Sequence, residues 1–192
     1  MSKRLGLVID QERCIGCEAC TVACRLENRA TAPWIRVETM HASEKDTPEG
    51  RFPELSMTFL PHVCQHCDRP PCVDACPALA LSKREDGPVV LDREACDGCQ
   101  TCISACPYDA IRVSSDGLLV EKCTLCLHRI DQGLIPFCAL CCEGQAILFG
   151  DLNDPRSDAG RFVANEPTYQ LRPELGTGPS VYYGPPKKPR GL

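Results

Sequence analysis

The chain has 192 residues, a formal net charge of −5 and 17 cysteines, which are about 9% of the sequence. Aromatic residues make up only 5%, so groups other than large apolar side chains must fill the interior. The mildly acidic balance excludes a basic nucleic-acid-binding surface, and the one basic cluster, Lys187, Lys188 and Arg190, is too short to indicate one. No apolar run approaches the ~18 residues of a membrane span.

The N-terminus predicts neither export nor a disulfide scaffold. Lys3 and Arg4 are followed by no long apolar segment, and there is no twin arginine, so we expect no export signal in this chain. Without export, disulfides are not expected, and the odd number of cysteines also argues against complete pairing.

The predicted elements are few and short. Alternating apolar residues and turn formers predict, in chain order, a strand over Leu5–Asp10, a helix over Ala19–Asn28, a strand over Val89–Leu91, a helix over Thr101–Ala105, and strands over Ile111–Val113 and Leu118–Val120. Pro77 and Pro107 should end the helical turns that precede them. We therefore predict a small α+β fold.

The cysteines fall into four groups of four, with Cys141 left over. The groups, in chain order, are Cys14, Cys17, Cys20 and Cys24; Cys64, Cys67, Cys72 and Cys76; Cys96, Cys99, Cys102 and Cys106; and Cys123, Cys126, Cys138 and Cys142. The first and third groups have the spacing C-x2-C-x2-C-x3-C of bacterial ferredoxins. In that motif three thiolates bind one 4Fe-4S cluster and the fourth binds the cluster of a partner group.

Two features of the groups refine this interpretation. Gly16 and Gly98 lie inside the tight loops, where a permissive backbone lets amides turn toward cluster sulfurs. Groups two and three both end in Cys-Pro and pair naturally, which leaves groups one and four to each other, although spacing alone also allows groups three and four to pair. The pattern predicts two ferredoxin-like two-cluster modules related by an internal repeat.

Two other classes of protein compete with this interpretation. Zinc ribbons use C-x2-C pairs, but they do not explain the third and fourth cysteines of each group. A free polyferredoxin, which shuttles electrons between soluble oxidoreductases, would have the same clusters. The long stretch between groups one and two and the C-terminal tail argue against it, since both could contact a partner.

The four groups in this order, with KCTLCLHRIDQGLIPFC in the fourth and FGDLNDP after it, resemble the four-cluster electron-transfer subunits of the molybdopterin (dimethyl-sulfoxide-reductase-type) oxidoreductases. The tail LRPELGTGPSVYY is also similar. The resemblance implies a non-catalytic relay between a molybdopterin-containing catalytic subunit and a donor or acceptor such as a quinone-reactive integral membrane subunit. It also implies a location at the outer face of the cytoplasmic membrane or in the periplasm by co-export, with the cytoplasm as the alternative.

The resemblance further implies four nested ligand sets. We call them site 1 (Cys14, Cys17, Cys20, Cys142), site 2 (Cys24, Cys123, Cys126, Cys138), site 3 (Cys64, Cys67, Cys72, Cys106) and site 4 (Cys76, Cys96, Cys99, Cys102). The corresponding boundaries are residues 1–26 with 121–150 for module one, 27–59 for an insertion, 60–120 for module two, and 151–192 for a C-terminal arm. Cys141 should be a spectator, because on a helical turn it is rotated by about 100° from Cys142.

A few other residues carry expectations. The polar, Pro/Gly-rich tail predicts an irregular arm that binds a partner through Tyr169, Tyr182 and Tyr183, since tyrosines suit interfaces. We interpret His66 as a spectator at the surface of its loop. Lys122 either raises the potential of a nearby cluster or is simply solvated.

Overall fold

The computed structural model describes residues 2–40 and 44–186. The basic cluster of Lys187, Lys188 and Arg190 lies outside these residues. The strands of the described chain are β1 (Leu5–Asp10), β2 (Arg36–Thr39), β3 (Glu49–Arg51), β4 (Glu54–Ser56), β5 (Phe59–His62), β6 (Leu81–Lys83), β7 (Val89–Leu91), β8 (Ile111–Val113), β9 (Val120–Lys122), β10 (Ile147–Asp151) and β11 (Val181–Gly184).

The helices are equally short. They are α1 (Ala19–Asn28), α2 (Pro71–Asp74), α3 (Thr101–Ala105), α4 (Leu127–Ile130), α5 (Phe137–Leu140) and α6 (Asp158–Asn165), with a 3-10 turn over Pro173–Leu175. Pro71 begins α2, as expected for a residue whose fixed φ suits the first helical turn. Within the described ranges, no helix has the length and apolar character needed to cross a membrane.

The largest sheet has three strands in the order β10-β1-β11. Its central strand, β1, pairs antiparallel with β10, where Leu7 lies opposite Phe149, and parallel with β11, where Leu7 lies opposite Val181. All six residues of β1 are buried, which explains why its sequence is a nearly continuous apolar run rather than an alternating one. Helix α6 packs across β10 and β1.

The sheet corrects the prediction of an irregular C-terminal arm. Residues 158–165 are helical, and residues 181–184 form β11 inside the main sheet. Tyr183 is 0% exposed and stacks against Tyr169, with ring centroids 5.6 Å apart. The prediction that Tyr183 anchors a partner is therefore wrong, because its ring is already buried within its own chain.

The remaining strands form four two-stranded antiparallel ladders: β2 with β5, β3 with β4, β6 with β7, and β8 with β9. The strands predicted over Val89–Leu91 and Ile111–Val113 match β7 and β8. The strand predicted over Leu118–Val120 is wrong by two residues, since β9 covers Val120–Lys122. Leu118 lies in the preceding turn with 69% of its surface exposed.

Helix packing brings distant cysteine groups together. Helix α1, which contains Cys20 and Cys24, packs against α5, which contains Cys138. Helix α2, which contains Cys72, packs against α3, which contains Cys102. The buried cores beside these helix pairs include the cysteines themselves as apolar members.

Candidate metal centres

The loops of the first and third cysteine groups have nearly the same backbone. Gly16 and Gly98 have φ of 69° and 74°. Two residues later, Glu18 and Gln100 adopt left-handed conformations with φ of 58° and 60°, and each precedes a helix that carries the next cysteines. The expectation of a permissive backbone at both glycines is thus confirmed by their positive φ.

Gly98 should tolerate no side chain. A Cβ there would lie 2.1 Å from the carbonyl oxygen of Leu118, whereas Gly117, at an almost identical φ of 75°, has open space around it. Gly117→Ala should therefore cost about 1 kcal/mol for the left-handed backbone alone. Gly98→Ala should cost a further ~1–3 kcal/mol for the clash. Thermal unfolding of the iron-loaded variants measures the difference, and equal melting temperatures would contradict it.

Site 1 combines the first loop with the end of the fourth group. Cys142 and Cys17 are electrostatic neighbours of Cys14, and Cys14 and Cys142 are neighbours of Cys20. All four cysteines of site 1 line one cavity of about 360 Å³, counting the part open to solvent. The other walls are largely apolar, with Val37, Pro61 and Ile147 among them.

Site 2 lies between α1 and α5. Cys24 has Cys123 and Cys126 as electrostatic neighbours, and Cys138 has Cys123, Cys126 and Cys24. All four thiols of this set are buried.

Sites 3 and 4 share the second and third groups. Cys64, Cys67, Cys72 and Cys106 line a cavity of about 330 Å³, again counting its open part. The neighbours of Cys102 are Cys76, Cys96 and Cys99. Each predicted set is thus brought together in space, although its members come from two separate groups.

Hydrogen-bond donors are directed at several of the sulfurs. The backbone N–H of Ala146 donates to Cys142 Sγ at 3.2 Å, and that of Leu125 donates to Cys123 Sγ at 3.3 Å. The Nδ2 of Asn28 lies 3.6 Å from Cys126 Sγ and 3.8 Å from Cys24 Sγ. Donors of this kind stabilise negative charge on sulfur, which is what a buried thiolate requires.

Burial strongly favours the neutral thiol in the absence of metal. Burial and the neighbouring thiols raise the pKa of Cys20 to about 12. Burial, reinforced by Cys64, raises the pKa of Cys72 to about 12, and the charge of Lys122 opposes that rise. Iron must therefore displace protons from these sulfurs when it binds, so metal binding and folding are coupled.

The donor sets and cavities fit 4Fe-4S clusters better than single zinc ions. Four sulfurs around one zinc ion lie within about 4 Å of each other. In residues 2–40 and 44–186, no three His, Cys, Asp or Glu side chains form a group that could hold one metal ion. Four cysteines that border a shared cavity suit a cluster, whose thiolates bind different irons.

Three basic side chains near site 3 escaped the sequence analysis. His66 is only 1% exposed, so its interpretation as a surface spectator is wrong. Lys122 is also 1% exposed, which excludes a solvated lysine, and its Nζ donates to the carbonyls of Cys123, at 2.9 Å, and Val89. The Nζ of Lys83 donates to the carbonyls of Cys67, at 2.7 Å, and His66, at 3.0 Å.

The buried carboxylate of Glu121 fixes the insertion to the cluster-bearing part of the chain. Its Oε2 accepts hydrogen bonds from the backbone N–H groups of Thr31 and Ala32 and from the indole N–H of Trp34. Its Oε1 lies 3.3 Å from the guanidinium of Arg93. A charge buried in β9 is tolerated because several donors surround it.

The structure places Cys141 apart from the cysteine sets. Its thiol contacts the carbonyl oxygens of Ala19, at 3.6 Å, and Cys138, at 3.7 Å. Cys142, by contrast, lines the cavity of site 1.

Comparisons with known proteins identify the same chemistry. Residues 55–152 match the family described as a 4Fe-4S dicluster domain, and residues 5–26 match a 4Fe-4S binding domain. An iron-sulfur subunit provisionally assigned to a dimethyl sulfoxide reductase of Halobacterium salinarum is 44% identical over 93% of this chain and 78% of its own length. The second subunit of the tetrathionate reductase of Salmonella typhimurium is 40% identical, with coverages of 94% and 72%. The corresponding component of the polysulfide reductase of Wolinella succinogenes is 36% identical, with coverages of 98% and 97%.

Proposed function

Because this chain is a member of the family of 4Fe-4S iron-sulfur subunits of the dimethyl sulfoxide, tetrathionate and polysulfide reductases, we propose that its grouped cysteines bind four 4Fe-4S clusters in sites 1 to 4. The support is the proximity of the thiols in each set and the cavities that they line at sites 1 and 3. The protein is a non-catalytic electron-transfer subunit of an oxidoreductase complex. Bound clusters supply one-electron chemistry over a wide range of potentials.

The observation that carries the relay is the gradient of burial along the four sites. All four cysteines of site 2 are buried, as are three of the four in site 3. Sites 1 and 4 each have one exposed cysteine, Cys17 and Cys99. The inner sites are linked, since Cys64 of site 3 is an electrostatic neighbour of Cys123 of site 2. Electrons therefore enter and leave near Cys17 and Cys99 and pass through the more deeply buried sites between them.

The two-module organisation is part of the same proposal. Residues 1–26 with 121–150 form one ferredoxin-like module, residues 60–120 form the other, and residues 27–59 are an insertion. The near-identical loop geometry at Gly16 and Gly98 supports an internal repeat. The surface of residues 151–192 other than Tyr183 then contacts a partner.

Partners follow from the family. The catalytic partner is a molybdopterin-containing subunit, and an integral membrane quinone-reactive subunit is the donor or acceptor at the other end. We place the complex at the outer face of the cytoplasmic membrane or in the periplasm, exported with its catalytic subunit. Fractionation of cells that express the complex tests this location, and recovery of the assembled complex in the cytoplasm would refute it.

Metal analysis of the anaerobically purified chain tests the proposal directly. We expect about sixteen irons and as many acid-labile sulfides per chain, a broad brown absorbance, and electron paramagnetic resonance signals on reduction. Colourless protein with bound zinc would refute the clusters. Clusters that reoxidise no faster with the catalytic partner than without it would refute the relay.

Lys122 should raise the potential of the clusters near it. A buried positive charge stabilises the added electron by on the order of 1–2 kcal/mol, or tens of millivolts. Lys122→Met should therefore lower at least one cluster potential by that amount. Lys3→Met removes the same charge from an exposed position and is the matched control. Redox titration monitored by electron paramagnetic resonance measures both, and equal effects of the two changes would contradict the prediction.

A further inference from the structure

The imidazole of His66 has one satisfied nitrogen and one unsatisfied nitrogen. Its Nδ1 accepts a hydrogen bond from the backbone N–H of Val89 at 3.0 Å. Its Nε2 is buried and has no hydrogen-bond partner within the described part of the chain. Buried polar groups in proteins are nearly always paired, so an unpaired one calls for an explanation.

The bond from Val89 also fixes the position of the ring proton. A nitrogen that accepts a hydrogen bond carries no proton, and a neutral imidazole has its single proton on the other nitrogen. His66 is therefore the tautomer with a proton on Nε2. The unpaired atom is a hydrogen-bond donor in need of an acceptor.

The surroundings of His66 leave the cluster site as the source of that acceptor. His66 lines the same cavity as the four cysteines of site 3. The ammonium groups of Lys83 and Lys122, which flank this region, already donate to backbone carbonyls and cannot accept a hydrogen bond. A 4Fe-4S cluster with thiolate ligands presents negatively charged sulfurs to the same space.

We infer that the Nε2–H of His66 donates a hydrogen bond to a sulfur of the cluster in site 3 and thereby raises the reduction potential of that cluster. The inference rests on the proposed cluster sites. Reduction adds one electron and one negative charge to the cluster, no proton moves, and a donor stabilises the more negative state. The bond from Val89 orients the ring, so His66 is a positioned donor rather than a charge.

Two substitutions separate the donor from the structural bond. The Oδ1 of His66→Asn can replace Nδ1 as the acceptor for Val89, but the variant has no donor at the position of Nε2. Asn also tolerates the left-handed backbone of this residue, whose φ is 43°. The amide of His66→Gln reaches the position of Nε2 and restores a donor. His62→Asn is the matched control, because the ring of His62 pairs with Glu38.

Redox titration of the iron-loaded chain, monitored by electron paramagnetic resonance, gives the first result. In His66→Asn we expect full iron and one cluster with a lower midpoint potential, with partial recovery in His66→Gln and no shift in His62→Asn. Unchanged potentials in a fully loaded His66→Asn would overturn the inference. Iron far below about sixteen per wild-type chain would instead refute the cluster sites themselves.

A second measurement keeps the test decisive if His66→Asn loses iron. In wild-type protein with ring-15N-labelled histidine, pulsed electron paramagnetic resonance of the reduced clusters should detect one coupled 15N nucleus. The coupling should persist in His62→Asn. Its absence from the wild-type protein would overturn the inference whatever the variant does.

Discussion

Removal of the iron is expected to unfold the chain rather than leave a compact apoprotein. Nine of the 34 buried apolar residues are cysteines. Once the clusters are removed, these thiols and their neighbours lose the atoms against which they pack. In other metal-built domains, metal binding supplies on the order of 10 kcal/mol, which is comparable to the whole stability of a domain.

The hairpins cannot replace what the clusters supply. The β6–β7 and β8–β9 ladders each pair only three residues per strand, and isolated two-stranded hairpins of this kind are not stable in water. Anaerobic chelation of iron after oxidative cluster breakdown, followed by circular dichroism and hydrogen exchange, measures the result. We expect loss of protection in β6 to β9. Refolding after iron and sulfide are restored is the control, and native protection in the iron-free chain would contradict the prediction.

Cys72→Ser is expected to remove one cluster and leave the other three. Cys72 is buried at the start of α2 and lines the cavity of site 3 with Cys64, Cys67 and Cys106. Iron should therefore fall from about sixteen to about twelve per chain, with loss of one reduced-state signal. Since α2 packs against α3, module two should become the less stable of the two modules.

Cys141→Ser is the matched control, because it makes the same chemical change outside the cysteine sets. The hydroxyl of serine can replace the thiol as donor to the carbonyls of Ala19 and Cys138. Iron content and spectra should remain unchanged. Full iron in Cys72→Ser, or lost iron in Cys141→Ser, would show that the proposed ligand assignment is wrong.

The sequence was informative where local rules decide the structure. The strand over Leu5–Asp10 and the helices over Ala19–Asn28 and Thr101–Ala105 were predicted with their observed bounds. A buried apolar run and the fixed offsets between cysteines leave few alternatives. The positive φ of Gly16 and Gly98 followed from the tightness of the same loops.

The failures share one physical cause, which is burial by residues far away in the chain. The strand around Val120 was misplaced because Glu121 and Lys122 look solvated in sequence, while distant donors and acceptors bury both. His66 likewise gives no local sign that Val89 will hold its ring. Tyr183 is buried by pairing with β1, from the opposite end of the chain.

The position of β1 in the sheet has a consequence for biosynthesis. This strand is translated early, but its partners β10 and β11 are translated last. The ligands of sites 3 and 4 all lie within residues 64–106, whereas sites 1 and 2 also need Cys138 and Cys142. Iron loading can therefore begin in the middle of the nascent chain and must end with its two extremities. Until then β1 is an unpaired apolar strand, and such strands aggregate unless they are shielded. We expect a chaperone to hold this segment until the last strand has been made.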